Sequence, residues 1–144
     1  MRSEKKKKAK VLFLCTGNSC RSQMAEGWLR HLAGDRFEVS SAGTQPAGLN
    51  PGAVDAMREL GIDISGHRSK HLNEFLGVRF DHVITVCDRA KETCPIFPGA
   101  RSLLHWRFDD PAAARGSDEE RRKVFQRVRD EIGSRIRNFF DGAR

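Results

Sequence analysis

The distribution of apolar positions along the chain predicts alternating strands and helices. A continuous apolar run over 11–15 is typical of a strand buried on both faces of a parallel sheet. Apolar residues then recur at helical spacing over 22–33, and a second short strand is predicted over 37–42. The pair Asn50-Pro51 is a typical helix start and Gly61 a typical helix end, so a second helix is predicted between them.

The second half of the chain continues this alternation. The predicted elements there are a short helix over 71–76, strands over 82–87 and 102–105, and a loop over 88–100.

A long amphipathic helix is predicted at the end of the chain. Ser117 and Glu120 have the spacing of a capping box at its start. Its apolar face would consist of Val124, Val128, Ile132, Ile136, Phe139 and Phe140. The order of elements predicts an α/β fold, with a four-stranded parallel sheet, helices on both faces and a single domain over 11–144.

The net charge of +7 comes mostly from the first ten residues. Six Lys or Arg and one Glu in 1–10 contribute +5, which leaves +2 for the rest of the chain. We therefore interpret 1–10 as a basic, disordered leader, and we expect neither nucleic acid nor membrane as a partner. No apolar run is long enough to span a bilayer, and no signal-peptide core follows the lysines, so we expect a cytoplasmic protein.

The most informative segment is the loop between the first strand and the first helix, in which Cys15 and Arg21 are separated by five residues. Backbone N–H groups at a helix start have no acceptor within the helix, so such a loop can bind an oxyanion. The Arg21 guanidinium can bind two oxygens of that anion, and the same positive field favours a nucleophilic Cys15 thiolate. The expected oxyanion-binding residues are Thr16, Gly17, Asn18, Ser19, Cys20, Arg21 and Ser22. The alternative is an inert, buried Cys15 with Arg21 on the surface.

Two further cysteines lie seven positions apart: Cys87 ends the third predicted strand, and Cys94 lies in the loop after it. Cys15 and Cys87 both end strands of a parallel sheet, so they could be neighbours at one edge. A dithiol that becomes a disulfide supplies two electrons, which would make these cysteines a redox relay. Two unreactive buried thiols, or a zinc site completed by His82 and His105, are the alternatives.

The segment 11–27 resembles the active-site segment shared by low-molecular-weight protein tyrosine phosphatases and the arsenate reductases built on their fold, more closely the thioredoxin-coupled arsenate reductases. The resemblance continues through Ser41-Ala42-Gly43, Asn50-Pro51, Val86-Cys87-Asp88, Cys94-Pro95, His105-Trp106 and Asp109-Asp110-Pro111. It implies a flavodoxin-like winding and arsenate as the substrate, with phosphate or sulfate as other occupants of the site. It also implies thioredoxin as the source of reducing equivalents. We expect a monomer without a bound cofactor or metal.

The resemblance also implies the order of the thiol chemistry. Cys15 attacks arsenate and forms a covalent adduct, and Cys87 then attacks the Cys15 sulfur as arsenite leaves. Cys94 next forms a disulfide with Cys87, which thioredoxin reduces. Cys20 has no obligatory redox step in the family, so we expect a structural or accessory role for it. The function implied is arsenate detoxification.

Asp110 is expected to be the general acid, because the oxygen that leaves arsenate needs a proton and the resemblance assigns the Asp before proline to this role. Asp109 is expected to be a local cap or turn residue. Tyrosine phosphatases of this fold usually carry an aromatic residue after the Asp-Pro pair, whereas Pro111 is followed here by Ala112, and the chain has no tyrosine. This favours a small inorganic anion. A low-molecular-weight protein tyrosine phosphatase remains the alternative function, and weak phosphatase activity is expected as a side reaction.

Some relatives bind a potassium ion near the loop through Asn, Glu, Ser and Asp side chains. Asn18, Glu26 and Ser41 match that pattern, but Lys70 stands where the Asp is expected. A lysine ammonium could take the place of the cation, so we expect no potassium requirement. An exposed Lys70 without this role is the alternative.

Overall fold

Four parallel strands form one sheet in the order β2-β1-β3-β4 in the computed structural model, which describes residues 8–86 and 100–141. The elements are β1 (Ala9–Cys15), α1 (Arg21–Ala33), β2 (Phe37–Gly43), α2 (Pro51–Arg58), β3 (His82–Thr85), β4 (Ser102–His105) and α3 (Asp118–Asp141), with short 3₁₀ helices at Leu72–Phe75 and Pro111–Ala113. The prediction of an α/β fold with a four-stranded parallel sheet is confirmed.

The first strand begins two residues earlier than the sequence predicts. The sequence places Ala9 and Lys10 in the basic leader, but in the structure they pair with Phe37 and Glu38 of β2. The Lys10 N–H also donates a hydrogen bond to the Asp81 carboxylate at 2.8 Å. Strand pairing needs only backbone groups, so it extends beyond the apolar run that marks the buried part of β1.

The predicted helix starts and buried faces are confirmed. The Asn50 side chain accepts a hydrogen bond from the Gly52 N–H, and Ser117 and Glu120 bond reciprocally as a capping box. Along α3, the side chains of Val128, Ile132, Ile136 and Phe140 are buried. Trp28 fixes α1 against α3, because its indole N–H donates to the Arg129 carbonyl at 2.9 Å. No helix in the described ranges is long and apolar enough to cross a membrane.

The strand register brings three carboxyl ends together at one edge of the sheet. Cys15, the last residue of β1, pairs with Gly43 of β2. On the other side, Leu14 pairs with Thr85 of β3, and the Val86 N–H donates to the Leu14 carbonyl at 2.8 Å. The loop that follows Cys15 therefore lies at the edge where parallel α/β sheets bind their ligands.

Candidate active site

The loop 15–22 connects β1 to α1, and the segment 44–50 holds it from one side. Backbone N–H groups of that segment donate to the carbonyl oxygens of Cys15, Thr16, Gly17 and Ser19 over 2.8–3.3 Å. The carbonyl oxygens of the loop are therefore directed towards 44–50. The loop carbonyl oxygens are thus bonded on one side, and α1 begins at Arg21 with its positive N-terminus. Both features favour the binding of an anion by the loop.

The Cys15 sulfur is almost fully buried and has two polar neighbours within the loop. The Asn18 N–H donates to it at 3.1 Å, and the Ser22 hydroxyl oxygen lies 2.8 Å from it. The Asn18 side-chain amide donates to that same hydroxyl oxygen at 2.8 Å, so the hydroxyl hydrogen of Ser22 is available to the sulfur. An N–H and a hydroxyl that can both donate to one sulfur favour the thiolate, which is the nucleophilic form.

Asn18 has a left-handed backbone conformation, with φ of 48°, and it is fully buried. Its side-chain amide also donates to the Ser41 hydroxyl at 3.0 Å, and its side-chain oxygen accepts from the Lys70 N–H at 2.8 Å. Such a conformation is uncommon outside glycine and persists where surrounding contacts hold it. Asn18 is therefore a central support of the loop as well as a donor to Cys15.

Gly43 lets β2 approach the loop closely. A Cβ at this position would lie 2.5 Å from the Thr16 carbonyl oxygen and 2.9 Å from the Asn18 nitrogen. Both are backbone atoms of the loop, so only a residue without a side chain fits here without displacing it.

A cavity of about 260 Å³ opens above the sulfur. Its lining residues are Cys15, Thr16, Gly17, Ser19, Cys20, Arg21, Ala47 and Asp110. The predicted nucleophile, the arginine and the predicted acid thus line one cavity. Asn18 and Ser22 lie behind the sulfur rather than on the cavity wall, where they orient the loop and the thiol.

Arg21 and Asp110 form an ion pair on the wall of this cavity. One guanidinium nitrogen of Arg21 donates to the Phe108 carbonyl at 3.2 Å, and another lies 3.7 Å from the Asp110 carboxylate. The other carboxylate oxygen of Asp110 accepts from the Ala112 N–H and caps the 3₁₀ helix Pro111–Ala113. Asp110 therefore has a fixed position, and its side chain is partly open to the cavity.

The cap predicted at Asp109 is found at Asp110 instead. The Asp109 carboxylate lies 3.2 Å from the Arg127 guanidinium on α3 and 3.8 Å from that of Arg107. The proline after Asp110 starts the 3₁₀ helix, so the residue directly before it is the one placed to cap.

Cys20 differs from Cys15 in its surroundings. Burial raises the pKa of the Cys20 thiol to about 12, although the Ser19 hydroxyl lowers it. Cys20 is therefore a neutral thiol at physiological pH and a poor nucleophile.

Lys70 supports the back of the loop. Its ammonium donates to the Arg68 carbonyl at 2.7 Å, and burial lowers the pKa of the Lys70 side chain while the nearby Glu26 carboxylate raises it. Glu26 is itself paired with the Arg30 guanidinium and accepts from the Ser41 hydroxyl. The side chains of Asn18, Glu26 and Ser41 are thus already hydrogen-bonded or ion-paired to groups of this chain.

Two polar residues behind the loop, Gln23 and His67, were not singled out by the sequence. Gln23 looks like one polar position in an amphipathic helix, and His67 lies 44 positions away. Their contact depends on the folding of 62–71 against α1, for which no local sequence signal exists.

The relay cysteines Cys87 and Cys94 lie outside the described residues. The zinc alternative is weakened by its two histidines. His82 pairs with Ser102 at the first position of β3, and His105 pairs with Thr85 at the last. Three positions separate the two pairs, so the two histidine side chains lie on opposite faces of the sheet. In the described part of the chain, no cluster of three or more His, Cys, Asp or Glu could hold a metal ion.

Comparison with known proteins agrees with this geometry. Residues 10–143 match the family model of the low molecular weight phosphotyrosine protein phosphatases. The chain is 54% identical over 129 residues to an arsenate reductase of Halalkalibacterium halodurans, which covers 90% of this chain and 93% of the relative.

Two solved structures are similar over nearly the whole chain. An arsenate reductase in a phosphate-binding state superposes with a TM-score of 0.80 at 34% identity, covering 93% of this chain and 98% of that one. A thioredoxin-dependent arsenate reductase of Corynebacterium glutamicum gives 0.74 at 34% identity, covering 94% and 61% respectively. The three similar proteins named above are arsenate reductases, and the chain belongs to the low-molecular-weight phosphotyrosine protein phosphatase family.

Proposed function

We propose that this protein reduces arsenate to arsenite. The observation that carries the proposal is the Cys15 sulfur, which faces two hydrogen-bond donors at the bottom of a cavity that Arg21 and Asp110 also line. A tetrahedral oxyanion in this cavity would meet the guanidinium and the positive end of α1. The relative solved in a phosphate-binding state supports an anion of this shape.

In the first step, the Cys15 thiolate attacks the arsenic atom and forms a sulfur–arsenic bond. One arsenate oxygen leaves as water and takes a proton from Asp110, which lies on the cavity wall. Arg21 binds the remaining oxygens as the charge redistributes. The arsenic is still pentavalent after this step, so a reduction must follow.

In the second step, Cys87 attacks the Cys15 sulfur. A disulfide forms, the sulfur–arsenic bond breaks, and its electron pair stays on arsenic, which leaves as arsenite. Cys94 then attacks Cys87, which frees Cys15 and leaves a Cys87–Cys94 disulfide. The two thiols lost account for the two electrons gained by arsenic.

The strand register supports the proposed reaction between Cys15 and Cys87. Val86 is hydrogen-bonded to Leu14, so position 87 comes one residue after a point where the two strands are already paired. Neighbouring strands are about 4.8 Å apart, and disulfides join Cα atoms about 4.4–6.8 Å apart. Thioredoxin is the proposed reductant of the final disulfide, as the name of the Corynebacterium relative suggests.

Phosphate ester hydrolysis is the second candidate, because the same loop, arginine and acid serve that reaction and the family model is that of a phosphatase. The cavity wall beside Asp110 argues for a weak activity only. Ala47 lines the cavity, and Pro111 is followed by alanines, so these positions offer no aromatic side chain to hold a phosphotyrosine ring.

The test is arsenate-dependent oxidation of NADPH with thioredoxin and thioredoxin reductase. We expect turnover by the wild type and none by Cys15→Ser, Cys87→Ser or Cys94→Ser. Full turnover in both Cys87→Ser and Cys94→Ser would refute the relay. Replacing thioredoxin with glutaredoxin and glutathione, or with mycothiol, identifies the reductant.

A further inference from the structure

Gln23 lies behind the oxyanion loop, fully buried, and the reaction described above makes no use of it. Its side-chain nitrogen faces three carbonyl oxygens. It lies 3.1 Å from the main-chain oxygen of Asn18, 3.0 Å from the side-chain oxygen of Asn18 and 3.1 Å from the main-chain oxygen of Arg68. Gln23 therefore binds both the backbone and the side chain of the one loop residue that has a left-handed conformation.

These three oxygens fix the orientation of the Gln23 amide. In the flipped orientation the amide oxygen would face three other oxygens, none of which can donate. In the observed orientation, the amide oxygen lies 2.9 Å from Nδ1 of His67. Nδ1 must therefore carry the hydrogen.

The other ring nitrogen of His67 is fixed in the same way. Nε2 lies 2.9 Å from a guanidinium nitrogen of Arg30, which can only donate. Nε2 must therefore accept, and His67 is the neutral Nδ1–H tautomer. A protonated ring would place two donors against each other.

The charged groups around His67 agree with a neutral ring. Burial lowers the pKa of His67, and Arg30 and Lys70 lower it further, while Glu26 and Asp63 oppose them. The Glu26 carboxylate is 3.9 Å from Nδ1, but it is already paired with Arg30. The side chain of His67 is 13% exposed, so protons can reach it.

We propose that Gln23 is a positioning residue for the Cys15 thiolate. Gln23 acts through Asn18, and neutral His67 orients the Gln23 amide. The Asn18 N–H points at the Cys15 sulfur in the left-handed conformation that Gln23 helps to hold. Without this support, Asn18 can relax towards ordinary backbone angles and its N–H turns away from the sulfur. The inference rests on the proposed role of Cys15 as the nucleophile.

The test measures the thiolate itself rather than turnover. The rate of Cys15 alkylation by iodoacetamide is followed against pH in the full chain, with the modified peptide identified by mass spectrometry. Gln23→Leu removes the amide, and Gln23→Glu keeps its shape but loses the donors. In both variants we expect the midpoint of the alkylation rate against pH to move up by about one pH unit. This corresponds to a tenfold change in the thiolate equilibrium. Ile132→Val, a buried change in α3, is the control for general destabilisation and should leave the midpoint in place.

A second pair of variants keeps the test decisive if a Gln23 variant does not fold. His67→Leu removes the donor to the Gln23 oxygen and should move the midpoint in the same direction. His67→Asn restores an N–H near the position of Nδ1 and should move it back.

An unchanged midpoint in folded Gln23→Leu or His67→Leu would overturn the inference, as would an equal shift in Ile132→Val. Because alkylation needs no arsenate, these outcomes are independent of the proposed function, which fails instead if the wild type does not reduce arsenate.

Discussion

The close approach of β2 to the oxyanion loop makes Gly43→Ala a sensitive perturbation. The added Cβ would lie 2.5 Å from the Thr16 carbonyl oxygen, whereas ordinary contact begins at 3.4 Å, so strand and loop must separate by about 0.9 Å. Overpacking of this kind costs about 1–3 kcal/mol of stability. Because the displaced atoms belong to the anion cradle, and a misplacement of about 1 Å can cost about 100-fold in rate, we expect kcat/KM for arsenate to fall about 100-fold.

The assay compares kcat/KM for arsenate and the free energy of unfolding in urea for wild type, Gly43→Ala and Gly66→Ala. Gly66 is the matched control, since a Cβ there meets nothing within 4 Å and its backbone does not need positive φ. We expect Gly66→Ala to match the wild type in both measurements. If Gly43→Ala had the same kcat/KM as the wild type, the claim that the close approach of β2 sets the loop geometry would be refuted.

Three further predictions follow from the site. Asp110→Asn should lower kcat by about 100-fold or more, because the proton donor is lost. Asp109→Asn breaks only exposed ion pairs, so its kcat should stay within a few-fold of wild type. Equal losses of kcat would contradict the assignment of the acid. Burial raises the pKa of Cys20 from 9.0 to about 12 in the folded chain, so the unfolded chain loses the thiol proton at lower pH than the folded chain. The free energy of unfolding therefore falls as pH rises above 9. Between pH 8 and pH 10 the wild type should therefore lose about 1.4 kcal/mol of unfolding free energy more than Cys20→Ala, as measured by urea titration, and parallel losses would contradict the burial argument. Thermal melts should show no stabilisation by potassium over sodium, because the Glu26 carboxylate is already paired with Arg30 and lies near the Lys70 ammonium. A rise of several degrees specific to potassium would disprove this.

The parts of the fold and site that could be predicted from the sequence are those that depend on neighbouring residues in the chain. The apolar run of β1, the helix start at Asn50 and the capping box at Ser117 are local signals, and each appears in the structure at the expected place. The loop from Cys15 to Ser22 is also contiguous, and its cradle follows from a buried strand running directly into a helix.

The parts that could not be predicted depend on contacts between distant segments. Gln23 and His67 meet because 62–71 packs against α1, and the need for glycine at position 43 arises only when β2 reaches the loop. The cap at Asp110 was assigned to its neighbour because two adjacent carboxylates satisfy the same turn pattern. The start of β1 at Ala9 was missed because backbone pairing carries no side-chain signal.

The central claim is that one chain supplies both electrons to arsenic, and a single-turnover experiment tests it most directly. Fully reduced protein is mixed with excess arsenate without thioredoxin, and arsenite, free thiols and disulfide-linked peptides are then quantified. We expect one arsenite per chain, the loss of two thiols and a Cys87–Cys94 disulfide. No arsenite, or arsenite without loss of thiols, would contradict it.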